Sequence, residues 1–210
     1  MLSSLKVLGL TLLALTFSAC QTTPKQAPQV QPEVTIEPMP APVAEVVDIN
    51  RQTYEAGLAA LKKNETAFAI ELLVQATTSA PKLEFAFTNL GLAYFKLEDF
   101  EKSEQAFQNA IKANNKDSVA YNHIGIINRM HGDFNNAKTN YQKAISIDSN
   151  YADAHLNLGI LYDIYLQDLK AALKRYEKYQ LLTNNENKSV AGWISDIQRQ
   201  LKSNKKKATS

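Results

Sequence analysis

The residues best suited to chemistry in this chain are three histidines, His123, His131 and His155. A helical metal site usually places two ligands four positions apart, on one face of the helix. No two of these histidines have that spacing, and the sequence contains neither an HExxH nor a CxxC pattern. The GxSxG motif and the glycine-rich loops that cradle phosphate are absent as well. The sequence therefore predicts a protein that is not an enzyme and that binds no metal and no cofactor.

The only cysteine, Cys20, stands in a context that indicates export. Lys6 precedes an apolar run at 7–17, and two small residues at 18–19 lead into the cysteine. The run is shorter than the ~20 apolar residues of a membrane-spanning helix, and its length suits a secretory signal. A solitary cysteine also excludes an intrachain disulfide.

The same segment resembles the signal of bacterial lipoproteins, with Phe17 where leucine is usual. The resemblance implies a signal peptide over 1–19 and acylation of Cys20, palmitate included, after which the cysteine is the first mature residue. Gln21 after the cysteine implies sorting to the periplasmic face of the outer membrane. The alternative is an ordinary cleaved signal with an incidental cysteine.

A proline-rich stretch follows the cysteine. Six of the seven prolines lie between positions 24 and 42, and the stretch has no helical periodicity. Spaced prolines favour polyproline II, which rises ~3.1 Å per residue, so 27 residues reach roughly 80 Å when extended. We predict a disordered tether over 20–47, with a proline-motif ligand as the alternative.

Charge is unevenly distributed along the chain. The net charge is +2, but Lys6 and four lysines of the last nine residues supply five positive charges, which leaves about −3 (2 − 5) on the rest. Nucleic-acid binding needs a concentrated basic face, so we expect no nucleic-acid partner. The segment 204–210 is predicted to be a disordered basic tail, with contact to an anionic surface as the alternative.

Four glycines recur with one period. Gly57, Gly91, Gly125 and Gly159 are spaced 34 residues apart. Twelve and nineteen residues after the first three glycines the residues are small, and sixteen after they are large. These are Ala69, Ser103 and Ala137; Ala76, Ala110 and Ala144; and Leu73, Phe107 and Tyr141. Glycine inside a helix costs ~1 kcal/mol relative to alanine, so four in register indicate close helix packing.

This pattern resembles the tetratricopeptide repeat family. The resemblance implies an all-α superhelix of four helix–turn–helix repeats plus a C-terminal capping helix, because no single repeat buries its apolar face alone. The predicted repeats are 50–83, 84–117, 118–151 and 152–186. In the fourth, Ala172 comes one residue late, which predicts an insertion in the turn Tyr165–Leu169. Tyr179 replaces the small residue equivalent to Ala144.

The capping helix is predicted over 187–203. Its apolar positions recur at helical spacing, and Trp193 lies beside them. These positions are Val190, Ile194, Ile197 and Leu201. We expect Trp193 to pack near Tyr176 or Tyr179 and thereby stabilise the fourth repeat.

In the tetratricopeptide fold the first helices of successive repeats line a concave groove. The groove residues that the resemblance implies are Leu58, Leu61, Phe85, Leu92, Phe95, Asn122, Ile126, Arg129, Ile160 and Asp163. The residue after each repeat glycine is apolar, which predicts an apolar strip suited to a peptide. Glutamate at Leu92 and Ile126 is therefore expected to abolish capture without unfolding. The alternative is that these side chains pack on neighbouring repeats, or that the N-terminal segment covers them.

Together these features predict a lipid-anchored scaffold without enzymatic activity. It resembles tetratricopeptide lipoproteins of bacterial envelopes, which implies another envelope protein or peptide as partner and a membrane anchor at Cys20. Pilus and secretion-machinery biogenesis is the first interpretation. The alternatives are an adaptor for periplasmic proteases or peptidoglycan enzymes, and a structural envelope protein. Homo-oligomerisation is compatible with each.

Overall fold

A computed structural model describes residues 43–80, 83 and 85–208. The predicted signal peptide, Cys20 and most of the predicted tether lie outside these residues. Every regular element over the described ranges is helical, with nine α-helices and one π-helical turn. The α-helices are α1 (Val43–Lys62), α2 (Thr66–Ser79), α3 (Ala86–Lys96), α4 (Phe100–Ala113), α5 (Ser118–Met130), α6 (Phe134–Ile147), α7 (Ala152–Ile160), α8 (Leu169–Leu182) and α9 (Lys188–Ala208). The π-helical turn, Leu161–Tyr165, follows α7 directly.

The first eight helices form four hairpins, α1–α2, α3–α4, α5–α6 and α7–α8, each closed by a short turn. Each second helix also packs on the first helix of the next repeat. Successive first helices α1, α3, α5 and α7 contact one another. They therefore lie side by side along one face of the array. The predicted all-α superhelix of four helix–turn–helix repeats is confirmed.

The repeat glycines allow each hairpin to close. A Cβ added at Gly125 would lie 2.7 Å from two ring atoms of Tyr141, and one at Gly159 would lie 2.6 Å from Tyr176. Gly91 faces Phe107 in the same way, at 2.7 Å. Real Cβ atoms do not approach other atoms so closely, so the ring of the second helix occupies the volume that any side chain would need. The periodic pairing of a glycine with a large residue is thus a contact within one repeat.

An aspartate is the N-cap of three of the four second helices, α4, α6 and α8. The Asp99 carboxylate accepts a hydrogen bond from the backbone N–H of Lys102, and the Asp133 carboxylate accepts one from Asn136. Such caps satisfy N–H groups that have no partner inside the helix. Before each of these two caps the chain turns through a left-handed residue, Glu98 or Gly132.

The fourth repeat accommodates its extra residue inside the first helix. In the third repeat the N–H of Asp133 bonds to the carbonyl five positions earlier. In the fourth, the N–H of Asp168 bonds to the carbonyl of Tyr162, six positions earlier, and Leu166 closes a π-type bond to Leu161. The insertion therefore widens the helix over Leu161–Tyr165, immediately before the turn where the sequence predicted it.

Two helices extend beyond the predicted boundaries. Helix α1 begins at Val43, inside the range 20–47 assigned to the tether, because no proline or glycine interrupts the chain between Pro42 and Gly57. Helix α9 continues to Ala208, through most of the predicted disordered tail. Lysine and alanine are good helix formers, and cations at a helix C-terminus interact favourably with its dipole.

Helix α9 caps the last hairpin. Val190 and Ile197 are buried against α8, and the Trp193 ring lies 5.4 Å from the Tyr176 ring. The predicted contact between the tryptophan and Tyr176 is therefore confirmed. Tyr179 packs into the same cluster, where its larger side chain takes the place of the small residue found in earlier repeats.

Candidate functional site

The predicted groove residues belong to the first helices or lie directly beside them in the chain. Ten positions in α1, α3, α5, α7 and the π-helical turn make up the predicted set, and only Phe85, the N-cap of α3, and Asp163 in the π-helical turn fall just outside the α-helices. Because these helices contact one another in order, their shared face is one continuous surface, hereafter the inner face.

The apolar strip after the glycines is largely part of the core. Leu92 packs against the buried cluster that joins the second and third repeats, and Ile126 against the cluster that joins the third and fourth. Ile160 packs against the cluster under α9. These side chains and Leu58 are half-buried. Glutamate at Leu92 or Ile126 would place a charge against the core, so the expectation that these substitutions leave the fold intact does not hold.

Asn122 is buried rather than presented to a ligand. Only 1% of it is exposed. Its Oδ1 accepts a hydrogen bond from Asn157 Nδ2 at 3.0 Å, and its own amide donates to the Tyr151 hydroxyl at 3.4 Å. Burial raises the pKa of Tyr151 to about 12, so the hydroxyl stays neutral. These bonds join the first helices of the third and fourth repeats.

Arg129 and Asp163 occupy matching positions in successive repeats, four residues after their glycines. Arg129 Nε donates to the Tyr141 hydroxyl at 3.3 Å. The Tyr176 hydroxyl donates to Asp163 Oδ2 at 3.2 Å. Both charged side chains are half-buried and oriented by a tyrosine of the second helix. The third and fourth repeats thus carry a cation and an anion, respectively, at the same repeat position.

Exposed apolar side chains mark the inner face of the last two repeats. Met130 is 49% exposed and Ile164 is 63% exposed, each five residues after its glycine. Tyr165, which follows Ile164 in the chain, is 39% exposed. These three residues are hereafter the inner-face patch. The sequence analysis did not identify them as site residues. The sequence does contain a signal, because the fifth residue after the glycine is lysine in the first two repeats and apolar in the last two.

The remaining predicted residues, Leu61, Phe95 and Phe85, do not belong to the inner-face patch. Leu61 and Phe95 are half-buried in the inter-repeat clusters. Phe85 is 49% exposed, but it lines a depression of about 280 Å³ together with Ala113 and Asn114 at the end of α4. It therefore lies towards the layer of second helices, away from the inner-face patch.

His123 and His155 pack within the helical array. The His123 ring stacks on Phe107 with ring centres 5.0 Å apart, and its Nδ1 donates to the Val119 carbonyl. His155 is buried, with Nε2 donating to the Ser149 carbonyl at 3.1 Å. Burial lowers the pKa of both rings. Within the described residues no group of three or more histidine, cysteine or acidic side chains converges on a possible metal site.

None of the helices in the described part of the chain combines the length and apolarity needed to span a bilayer.

Comparison with known proteins agrees with the repeat architecture. A family described as "Tetratricopeptide repeat" matches residues 85–117, and one described as "TPR repeat" matches residues 129–163. None of the curated proteins matches the sequence significantly.

Several solved structures are similar in fold. A MamA protein has a TM-score of 0.60 at 20% identity, over 76% of this chain and 90% of that one. PilF of Pseudomonas aeruginosa has a TM-score of 0.65 at 18% identity, over 76% of this chain and 72% of that one. The first repeat domain of RPAP3 (Spaghetti), solved with the HSP90 peptide SRMEEVD, has a TM-score of 0.51 at 19% identity, over 56% of this chain and 92% of that one. Residues 85–117 and 129–163 thus match tetratricopeptide repeat models in sequence, and the fold contains four helical hairpins of the same architecture.

Proposed function

We propose that this protein is a non-enzymatic scaffold, lipid-anchored in a bacterial envelope through Cys20, that binds a peptide segment of another envelope protein on its inner face. The observation that carries the binding proposal is the exposure of Met130 and Ile164 at matching positions of neighbouring first helices. Tetratricopeptide repeat proteins are interaction scaffolds, and the similar RPAP3 domain was solved with a bound peptide. The lipoprotein signal resemblance supports the anchor.

The inner-face patch has the chemistry of a peptide site. Its apolar side chains keep 39–63% of their surface exposed in the free protein, so a ligand that covers this surface gains the free energy of its burial, about 25 cal/mol per Å². Arg129 and Asp163 beside the patch offer a donor and an acceptor for the backbone of the ligand. The preferred ligand is therefore a segment with two apolar side chains and a free backbone edge, without a high net charge.

The binding proposal is tested by affinity capture from membranes with the full-length lipoprotein, followed by mass spectrometry. Substitution of Met130 and Ile164 by glutamate introduces two charges where the ligand must be apolar. The partner captured by the wild type is expected to be lost. The matched control replaces Phe68 and Val74, which are exposed apolar residues of the second helix α2, and should retain it. Capture of the same partner by both variants would show that the inner-face patch is not the binding site.

The identity of the captured protein then separates the pathways. A secretin or another component of pilus or secretion machinery would support the first interpretation, and a peptidase or peptidoglycan enzyme would support the adaptor alternative.

The anchor is tested separately. Cells that express the wild type and Cys20→Ala are labelled with radioactive palmitate and fractionated. The wild type is expected to carry label and to sediment with membranes, whereas the variant should carry none. An unlabelled wild type would favour an ordinary cleaved signal.

A further inference from the structure

Helix α9 has two parts with different surfaces. From Val190 to Leu201 it packs on the last repeat, and Leu201 is its last residue in the apolar cluster. Beyond Leu201 the helix continues for seven residues to Ala208, and the side chains at 202–207 include none in that cluster. The second part therefore extends past the core that the first part covers.

Basic side chains form a stripe along this helix. Arg199, Lys202, Ser203 and Lys206 are spaced i, i+3, i+4 and i+7, so they share one face, roughly opposite Ile197 and Leu201 at about 100° per residue. The four residues border one shallow surface depression together with Lys205. All of them are exposed. The stripe thus points away from the repeats.

The sequence around the stripe is strongly basic. Residues 197–210 contain Arg199 and four lysines but no aspartate or glutamate, so their side chains carry a net charge of +5. Asp196 pairs with Arg199 in an exposed ion pair, which contributes little. On the neighbouring helix α8, Glu177 accepts a 3.5 Å hydrogen bond from Gln198.

We propose that this C-terminal stripe binds the anionic headgroups of phospholipids and so holds the repeat array against a membrane surface. Residues 202–207 contain no apolar side chain that could insert, which makes the contact electrostatic and sensitive to salt. A membrane is favoured over nucleic acid because the rest of the chain carries about −3, which would repel a polyanion that extends along the body. The inference rests on the proposed function, since the anchor at Cys20 supplies the membrane.

Trp193 provides the readout, because it is the only tryptophan of the chain and lies on α9. The full chain is reconstituted into vesicles of phosphatidylcholine, with or without phosphatidylglycerol, that contain a dansyl-labelled lipid. Energy transfer from Trp193 to dansyl is expected to be higher with phosphatidylglycerol at ~0.1 M salt. It should fall to the neutral-vesicle value at ~1 M, where the screening length is about 3 Å.

Two charge-matched variants locate the effect. Replacing Lys202, Lys205, Lys206 and Lys207 by glutamine is expected to abolish the difference between the two vesicle types, since each lysine near an anionic surface contributes about fivefold. Replacing four exposed lysines elsewhere should preserve it. The control positions are Lys62, Lys63, Lys112 and Lys116. Circular dichroism of both variants confirms that the helices are intact.

The outcomes separate the two proposals. Failure to associate with neutral vesicles would count against the anchor alone, and an anionic-dependent signal would still support the stripe. Two results would overturn the stripe proposal. One is equal energy transfer on both vesicle types for the wild type, and the other is a difference between the vesicle types that persists in the variant with glutamine at the four C-terminal lysines. Tighter binding to a DNA duplex than to anionic vesicles would overturn it as well and assign the lysines to nucleic acid.

Discussion

Replacement of helical glycines by alanine should have opposite effects on stability at two positions of this chain. Gly125 and Gly192 both lie inside helices, so alanine should gain about 1 kcal/mol of helix propensity at either. A Cβ at Gly192 would have no neighbouring atom within 4 Å. A Cβ at Gly125 would lie 2.7 Å from two ring atoms of Tyr141, which is fully buried and bonded to Arg129.

The size of the difference follows from packing. Adding a methyl group to a filled core site costs typically 1–3 kcal/mol, and the Tyr141 ring has little freedom to move, so we expect the upper part of that range. Gly125→Ala should therefore lower the free energy of unfolding by about 1–2 kcal/mol, whereas Gly192→Ala should raise it by about 1 kcal/mol. For a chain of this size the two variants should differ by roughly 5–10 °C in melting temperature.

Urea unfolding followed by circular dichroism and by Trp193 fluorescence measures the difference. Gly57→Ala is an internal reference, because its nearest neighbour, Leu73 Cγ at 3.1 Å, is farther away than the ring atoms at Gly125, and the net effect should be near zero. Tyr141→Leu, which copies the first repeat, should relieve much of the Gly125→Ala penalty in the double variant. If Gly125→Ala raises the unfolding midpoint as much as Gly192→Ala does, the steric explanation of the repeat glycines is wrong.

Three further outcomes are expected. Trp193→Ala should lower the free energy of unfolding by about 2 kcal/mol, because a tryptophan that contacts Tyr176 but is 40% exposed contributes less than a fully buried one. An unchanged melting temperature would contradict the capping role. Glu98→Gly should stabilise the protein by about 0.5–1 kcal/mol and Gly132→Glu should destabilise it, because both positions have a left-handed backbone conformation that favours glycine. Thermal melts in which the two variants change the melting temperature in the opposite directions would contradict this reasoning. Stability should fall as the pH decreases below 6.5, because burial lowers the pKa of His123 in the folded state and the unfolded chain therefore takes up the proton first. Urea midpoints measured between pH ~8 and ~5 should fall less in the His123→Phe variant than in the wild type.

The predicted groove residues differ from the apolar residues that are exposed at the ends of the first helices, and this difference has a physical origin. The position after each glycine was correctly placed on the first helices, but a helix surface about 100° wide can face both a groove and the next repeat. Stacking of neighbouring hairpins partly covers Leu92 and Ile126. It leaves Met130 and Ile164 exposed, about one helical turn after the residue that follows each glycine. Periodicity identifies a helical face, whereas exposure within that face depends on the crossing of neighbouring helices.

The fourth repeat shows the same division. The late small residue Ala172 revealed one extra residue, which the sequence analysis placed in the turn Tyr165–Leu169 and which the structure accommodates in the helix over Leu161–Tyr165. Packing of Tyr176 against Gly159 keeps the second helix in register with the first, so the extra residue is taken up upstream as a π-helical turn. That turn contains Asp163, Ile164 and Tyr165, and it therefore shapes the candidate site.

The fold could be deduced from the chain alone because a 34-residue period repeats the same local pattern. Each of the four repeats places a glycine opposite a large side chain, and in the second and third repeats an aspartate also begins the second helix. Such rules act within one hairpin or between adjacent hairpins, so they are visible in sequence. Contacts between elements decided which side chains of the inner face remain accessible and where the insertion resides, and they identified the inner-face patch. Those contacts depend on distances that no spacing of residues encodes. The continuation of α9 beyond its packed part follows instead from the helix propensity of lysine and alanine, to which the prediction of a disordered tail gave too little weight.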